Sequence, residues 1–191
     1  GKGSGSDQSI TINSSDEYSD FGFRILKGSK DGDIQGLGFV GFDTTLHVLN
    51  SGNKLDSIKI TGRANDVGVG YLLGESTEGN IFKNSFIETT KHGATIDTAS
   101  VELTFEGNTI RDVAYGVQVA KSNEELIIRN NNIYEFTTAG LWLDSTVGYG
   151  NAYSNNYLGC DSLGNIVPQS EGAAIVLVDC ENQFFKNNVL G

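Results

Sequence analysis

The sequence has one proline, one tryptophan, no methionine and only two cysteines in 191 residues. Two thiols are too few for a disulfide framework and lack the spacing of metal ligands. Cys160 and Cys180 can form one bridge or stay free, and the sequence leaves both open. No run approaches the roughly 18 consecutive apolar residues that a membrane-spanning helix needs, which excludes one. Basic residues are also scarce: 13 Lys and Arg stand against 24 Asp and Glu, a formal net charge of −11. That balance repels phosphate backbones and argues against nucleic acid as a partner. It equally disfavours polyanionic glycans unless a basic patch or a cation intervenes.

What is present is 38% hydrophobic residues and 25 glycines, enough for a core in a chain of one-domain length. Residues 1–8, opening Gly1-Lys2-Gly3-Ser4-Gly5-Ser6, read as a linker or cloning scar, and residues 9–191 as one domain. With no initiator methionine and no secretory leader, the chain is expected to be processed or cut from something longer.

The informative feature is an internal repeat. In register stand Ile34-Gln35-Gly36, Ile60-Thr61-Gly62, Phe82-Lys83-Asn84, Phe105-Glu106-Gly107, Ile128-Arg129-Asn130, Tyr153-Ser154-Asn155 and Phe185-Lys186-Asn187. The third residue is always Gly or Asn, the two types that best tolerate the left-handed backbone of a sharp turn. Three residues further on comes an apolar position (Ile87, Ile110, Ile133, Leu158, Leu190). Some ten residues after the turn, a Gly leads an alternating run: Gly93-Ala94-Thr95-Ile96, Gly116-Val117-Gln118-Val119, Gly140-Leu141-Trp142-Leu143 and Gly172-Ala173-Ala174-Ile175. Each repeat thus holds three short strands of period two. Such a unit buries its apolar face only by stacking on copies of itself. The expected fold is all-β, a single-stranded parallel β-helix of about seven coils of 22–32 residues with three sheets. The crossover rule makes it right-handed. Ile10 and Ile12 read as a first strand or a cap.

The Asn-rich turns and Gly-led strands resemble the pectate-lyase-like superfamily of right-handed β-helices over roughly residues 20 to 191. Asn130, Asn155 and Asn187 resemble its asparagine ladder. Asn156 to Asp161 with Gly164-Asn165 resembles a repeat of large secreted bacterial β-helix proteins, and the wider group includes phage tailspikes and adhesins. The resemblance implies an extracellular, cell-surface or virion-surface setting and a polysaccharide or cell-surface glycan as partner. It leaves the activity open, because this scaffold carries lyases, hydrolases, epimerases and binding proteins.

We call the strand after the Gly sheet A, the strand before the Asn turn sheet B, and the strand after that turn sheet C. Alternation turns Ile96, Val117, Val119, Leu141, Leu143 and Ile175 inward on sheet A. It turns His47, Thr95, Asp97, Gln118, Ala120, Trp142, Asp144 and Ala174 outward. In the proteins this chain resembles, glycans lie along the outer face of one parallel sheet. Asp97 and Asp144 occupy equivalent outward positions two coils apart, with α-carbons about 9.6 Å apart. That is near the upper end of the separation an inverting glycosidase uses. If the protein is an enzyme, a polysaccharide hydrolase or lyase, these two are the acid and base, and Trp142, Gln118 and His47 contact sugar. The plainer reading is two exposed acids aligned in an acidic protein. His92, in Lys91-His92-Gly93, resembles the His-Gly pair of polygalacturonase-like hydrolases, but their adjacent Asp-Asp pair is missing here and His92 reads as a turn residue.

Asp31-Gly32-Asp33 lacks the remaining ligands of a calcium loop and reads as a solvated turn. No cofactor is therefore expected; calcium is admitted by the resemblance but indicated by no motif. Residues 159–171 lengthen one coil and, as a long insertion on a regular scaffold, are a functional candidate. Tyr149 belongs to a loop leaving the other end of sheet A, whereas Tyr153 is expected to point inward. Sheets B and C carry an outward apolar stripe (Ile81, Phe86, Ile127, Tyr157, Phe184, Val189) mixed with Lys59 and Thr104. A stripe of that kind reads either as a surface covered by a homotrimer partner or by adjoining domains of a longer chain, or as the scattered exposed apolar residues of ordinary strands. The chain stops at Gly191 without a polar cap, which favours a fragment or an assembly. The functional expectation is glycan recognition along sheet A, with or without depolymerisation. A non-catalytic stalk or adhesin module is the alternative, and a metal-dependent uronate lyase or epimerase the third.

Overall fold

The computed structural model describes residues 10–14, 21–28, 31–63, 68–97, 100–121, 123–168 and 170–191. The stretch 1–8 read as a linker lies outside them. All the described strands belong to one stack, and every strand pairing in it is parallel. Sheet B is the most regular: Asp33–Gln35, Lys54–Asp56, Ile81–Lys83, Thr104–Glu106, Ile127–Arg129, Ala152–Ser154 and Phe184–Lys186 lie side by side in that order. Seven rungs of sheet B bound about six full turns, slightly fewer than the seven coils expected.

After each sheet B strand the chain turns through one left-handed residue: Gly36, Ser57, Asn84, Gly107, Asn130, Asn155 or Asn187. The turn of the second coil is therefore Ser57 (φ 57°), not Gly62; Lys59–Thr61 belongs to sheet C. Sheets C and A run into one another through a bend in the strands Phe86–Ile96, Thr109–Ala120 and Asn132–Asp144. The coil thus has three faces but only two hydrogen-bonded sheets. Ile10–Asn13 is a strand, paired with Leu37–Val40 on the sheet C side.

The residue after the left-handed turn points inward and carries the true ladder. Asn108, Asn131, Asn156 and Asn188 stack so that each Oδ1 accepts from the backbone N–H of the coil before, at 2.9–3.0 Å. The expected ladder of Asn130, Asn155 and Asn187 is one residue off. Those three sit in the turn itself, and Asn130 reaches outward to Glu106 at 3.1 Å. The correction has a simple chemical cause: a buried backbone N–H needs a fixed acceptor, and only the inward position can supply one.

Apolar side chains fill the prism. Phe82 and Phe105 stack at 5.3 Å and Tyr71 packs on Phe82 at 4.5 Å. Phe39, Ile60, Ile87, Ile110, Ile133 and Leu158 line the sheet C side without exposure. On the outside, carboxylates pair with cations of the next coil: Asp33 with Lys54, Asp56 with Lys83 and Glu106 with Arg129 on sheet B, and Glu88 with Arg111 on sheet C. Phe86, part of the expected apolar stripe, lies beneath the Lys59 and Arg111 cations. Cys160 and Cys180 are both free thiols.

The described residues of the insertion at 159–171 are tied together by hydrogen bonds. Asp161 Oδ1 accepts the N–H groups of Leu163 and Asn165, both at 2.9 Å, and Asn165 donates its side chain to Oδ2. These donors, the Asn165 amide first, hold the Asp161 carboxyl below the usual carboxylate range. Ser170 closes the loop by accepting from the Glu135 N–H at 2.9 Å. At its tip Leu163 and Ile166 are exposed.

Candidate functional site

The outer face of sheet A is assembled by register, with one irregularity between Val113 and Tyr115 that sets Tyr115 beside the buried Ala139. One row reads Arg24, His47, Leu72, Thr95, Gln118, Trp142, Val176, each residue beside the next on successive coils. A second row reads Phe21, Thr44, Val69, His92, Tyr115, Ala139, Ala173. Neither row contains a lysine or a glutamate, so this is not an ordinary solvated face. Ile96, Val117, Val119, Leu141 and Leu143 point inward without exposure and Tyr153 is buried, whereas Ile175, on the last sheet A strand, is only partly buried against the core.

His92 is a strand residue within Phe86–Ile96 and not the turn residue expected. The glycine after it serves packing: a β-carbon on Gly93 would meet Ile110 Cγ2 at 2.5 Å and the Gly116 carbonyl at 2.6 Å. Freed from a turn, the His92 ring lies flat on Tyr115, with centroids 4.9 Å apart and planes within 3°. Tyr115 in turn meets Trp142 edge-on at 5.6 Å. Gln118 stands one coil on from the His92 strand, close enough that its side chain partly offsets the lowering of the His92 pKa. Of these four side chains the sequence pointed to Gln118 and Trp142 as contacts. Tyr115 was missed, although it precedes Gly116 as His92 precedes Gly93, and that shared position was the available clue.

A second aromatic group stands toward the first coils. His47 stacks on Phe21 at 5.4 Å, and the Arg24 guanidinium lies 4.4 Å from the Phe21 ring. His47 therefore sits well apart from Gln118 and Trp142, three rungs or about 14 Å from the former and four rungs or about 19 Å from the latter along the axis. Burial, then the Arg24 charge, lowers the His47 pKa below its usual value; burial, then Lys91, does the same for His92. Nδ1 of each ring is shielded and has no hydrogen-bond partner among the described residues. Both imidazoles are accordingly neutral near pH 7.

Asp97 and Asp144 stand at matching outward positions with Ala120 between them, since Ala120 pairs with Asp144 and Ile96 with Val119. Both are half-buried, and Asp144 accepts a hydrogen bond from Ser145 at 2.9 Å. Asp144 lies two residues beyond Trp142 on the same face. Asp31 holds a left-handed turn, and Asp33 pairs with Lys54 at 3.6 Å. No group of three or more His, Cys, Asp or Glu side chains stands ready to hold a metal among the described residues.

Two overlapping stretches, residues 4–158 and 46–191, match the family described as right handed beta helix region. The chain belongs to that family, and its parallel coils are a right-handed β-helix. No curated protein and no solved structure matches it.

Proposed function

We propose that the outer face of sheet A binds a glycan in an extracellular, cell-surface or virion-surface setting. The observation that carries this reading is the contiguous His92–Tyr115–Trp142 group with Gln118 beside it. Flat aromatic faces with an adjacent amide suit a sugar, which presents C–H groups on one side and hydroxyls at its rim. The flat parallel sheet offers an extended track, and the neutral His92 imidazole leaves the cluster without charge of its own. An uncharged or cationic glycan also fits the net charge of −11. If the track is catalytic, Asp97 and Asp144 are the acid and base, two rungs apart with room for a water between carboxylate and sugar.

A second reading, a non-catalytic stalk or adhesin module, draws on the exposed apolar side chains of Phe184, Leu163 and Ile166. Such surfaces suit assembly with a homotrimer partner or an adjoining domain.

One experiment separates the two readings. Binding and reducing-end release are measured on neutral, acidic and amino-sugar polysaccharides, beside Trp142→Ala, Tyr115→Ala, Asp97→Asn and Asp144→Asn. Binding lost in both aromatic variants supports the glycan track, and release lost in both carboxylate variants makes it a hydrolase. Binding that survives both aromatic variants removes sheet A from the reading. No binding to any polymer leaves the stalk.

A further inference from the structure

Beyond sheet A, we propose that the corner leading into sheet B is a docking groove for a basic, partly apolar polypeptide segment. An open trough of about 600 Å³ runs along this corner, lined by Ile81, Thr104 and Ile127 on one side and Glu102 and Glu125 on the other. A second depression of about 340 Å³ shares Gly79 and Glu102 with it and extends the trough past Glu78.

The floor follows from register. Ile81, Thr104 and Ile127 occupy the same outward position on three successive sheet B strands. They form a stripe with one side chain about every 4.8 Å, part of the apolar stripe visible in the sequence. The wall comes from the corner residues, all left-handed: Gly79, Glu102, Glu125 and Gly150. The two glycines at the ends carry no side chain, and a β-carbon on Gly79 would meet nothing within 4 Å. The trough is therefore open past Gly79 and acidic in the middle, and at its other end the Glu125 side chain lies against Gly150, its Cγ 3.0 Å from where a β-carbon would stand.

Charge identifies the occupant. Asp33, Asp56 and Glu106, on the same sheet, are each paired with a lysine or arginine. Glu102 and Glu125 have no ion pair or hydrogen bond through their side chains among the described residues. The main trough offers carboxylate acceptors and aliphatic carbon, with the Thr104 hydroxyl as its one side-chain donor among the described residues. A ligand must bring cations and apolar surface together, which Lys and Arg do with a charged head on an aliphatic stem. Nucleic acid has the wrong sign, and a sugar finds no aromatic face here. A second copy of this chain also has the wrong sign, with a net charge of −11 and five cations already paired among the described residues. From the coil of Gly79 to that of Gly150 is three rungs, about 14 Å, which holds roughly four residues of extended chain.

The test uses the full chain and a fluorescein-labelled octapeptide of alternating lysine and leucine, followed by anisotropy. The proposal expects saturable one-to-one binding, weakened at least tenfold in Glu102→Gln/Glu125→Gln and in Thr104→Arg, whose guanidinium would fill the trough. Glu135→Gln/Glu171→Gln makes the same charge change at the corner of sheets C and A and is expected to weaken binding less than twofold. A lysine–serine octapeptide is expected to bind at least fivefold more weakly. Equal losses in the two glutamine pairs would mean diffuse attraction to an acidic protein and overturn the proposal. Equal binding of the two peptides, or none by the parent chain, would also overturn it. Self-association that Thr104→Arg abolishes would make a second copy the occupant and overturn it too. Thermal melts of each variant confirm folding, which substitutions on an outer surface leave intact.

Discussion

Asn108 sends two donors to one acceptor of Asn131: Oδ1 of Asn131 takes the Asn108 backbone N–H at 2.9 Å and its side-chain Nδ2 at 3.1 Å. Nδ2 of Asn131 meanwhile donates to the Phe105 carbonyl at 3.0 Å and to Asn156. Asn131→Ala would strand several buried polar groups at once, each costing about 1–3 kcal/mol. A loss of about 3 kcal/mol or more in urea unfolding is expected. Asn130→Gly, one residue away, removes an exposed hydrogen bond and relieves a left-handed asparagine. Its stability is expected to stay within about 0.5 kcal/mol of the parent. Equal effects at the two positions would refute the assignment of the ladder.

Gly93→Ala tests why glycine leads the sheet A strands. The new methyl would press on Ile110 and on the Gly116 carbonyl of the next coil. Backbone cannot yield as a side chain can, so a loss of about 3 kcal/mol is expected. A melting temperature unchanged from the parent would show that the stack breathes at this corner.

Tyr71 offers the opposite result. Its side chain is fully buried against Phe82, and its hydroxyl has no hydrogen-bond partner among the described residues. Burial raises its pKa far above the phenol range, which keeps it neutral. Tyr71→Phe removes a polar atom that only costs desolvation. Unfolding experiments are expected to show a gain of about 1 kcal/mol. A loss would mean that the hydroxyl is satisfied in solution.

The two histidines predict a pH dependence. Both stay neutral in the fold below their usual value of 6.5, whereas the unfolded chain takes up protons near it. Their contribution is complete above pH 6.5 and is lost as pH falls from there through the folded values. The urea midpoint should be lower at pH 5 than at pH 7.5, and His47→Gln/His92→Gln should narrow that gap. A separate loss follows at lower pH. The Glu106 carboxyl is held down chiefly by its hydrogen bond from Arg129, and that of Asp56 by Asn84. Their contributions fade as pH falls below 4.5 and 3.8 and through the lower folded values. A gap that persists unchanged in the histidine variant would assign the first loss to other groups.

The repeat was legible because each turn needs a left-handed residue, and Gly and Asn advertise it. Where Ser57 takes that role the pattern is silent, and the register of that coil slips to Gly62. The ladder was misplaced because Asn130-Asn131, Asn155-Asn156 and Asn187-Asn188 are doublets. Residue type alone does not tell the turn member from the inward one. On sheet A, alternation placed Asp97, Asp144, Gln118 and Trp142 outward. It could not show that His92 stays in the strand, because Gly93 looks like a turn when its packing against Ile110 is unseen. Nor could it show the separation of His47 from Trp142, which depends on counting coils through the misread one.

The insertion at 159–171 leaves the stack around it undisturbed. Tyr157 still pairs with Val189, and Leu141 with Ile175, as though the extra residues were absent. This corner works as a splice point: segment length can change there without shifting any rung. Recombination could exchange the loop for another, and a designer could graft a binding peptide between Leu158 and Ala173, leaving the track on sheet A unchanged.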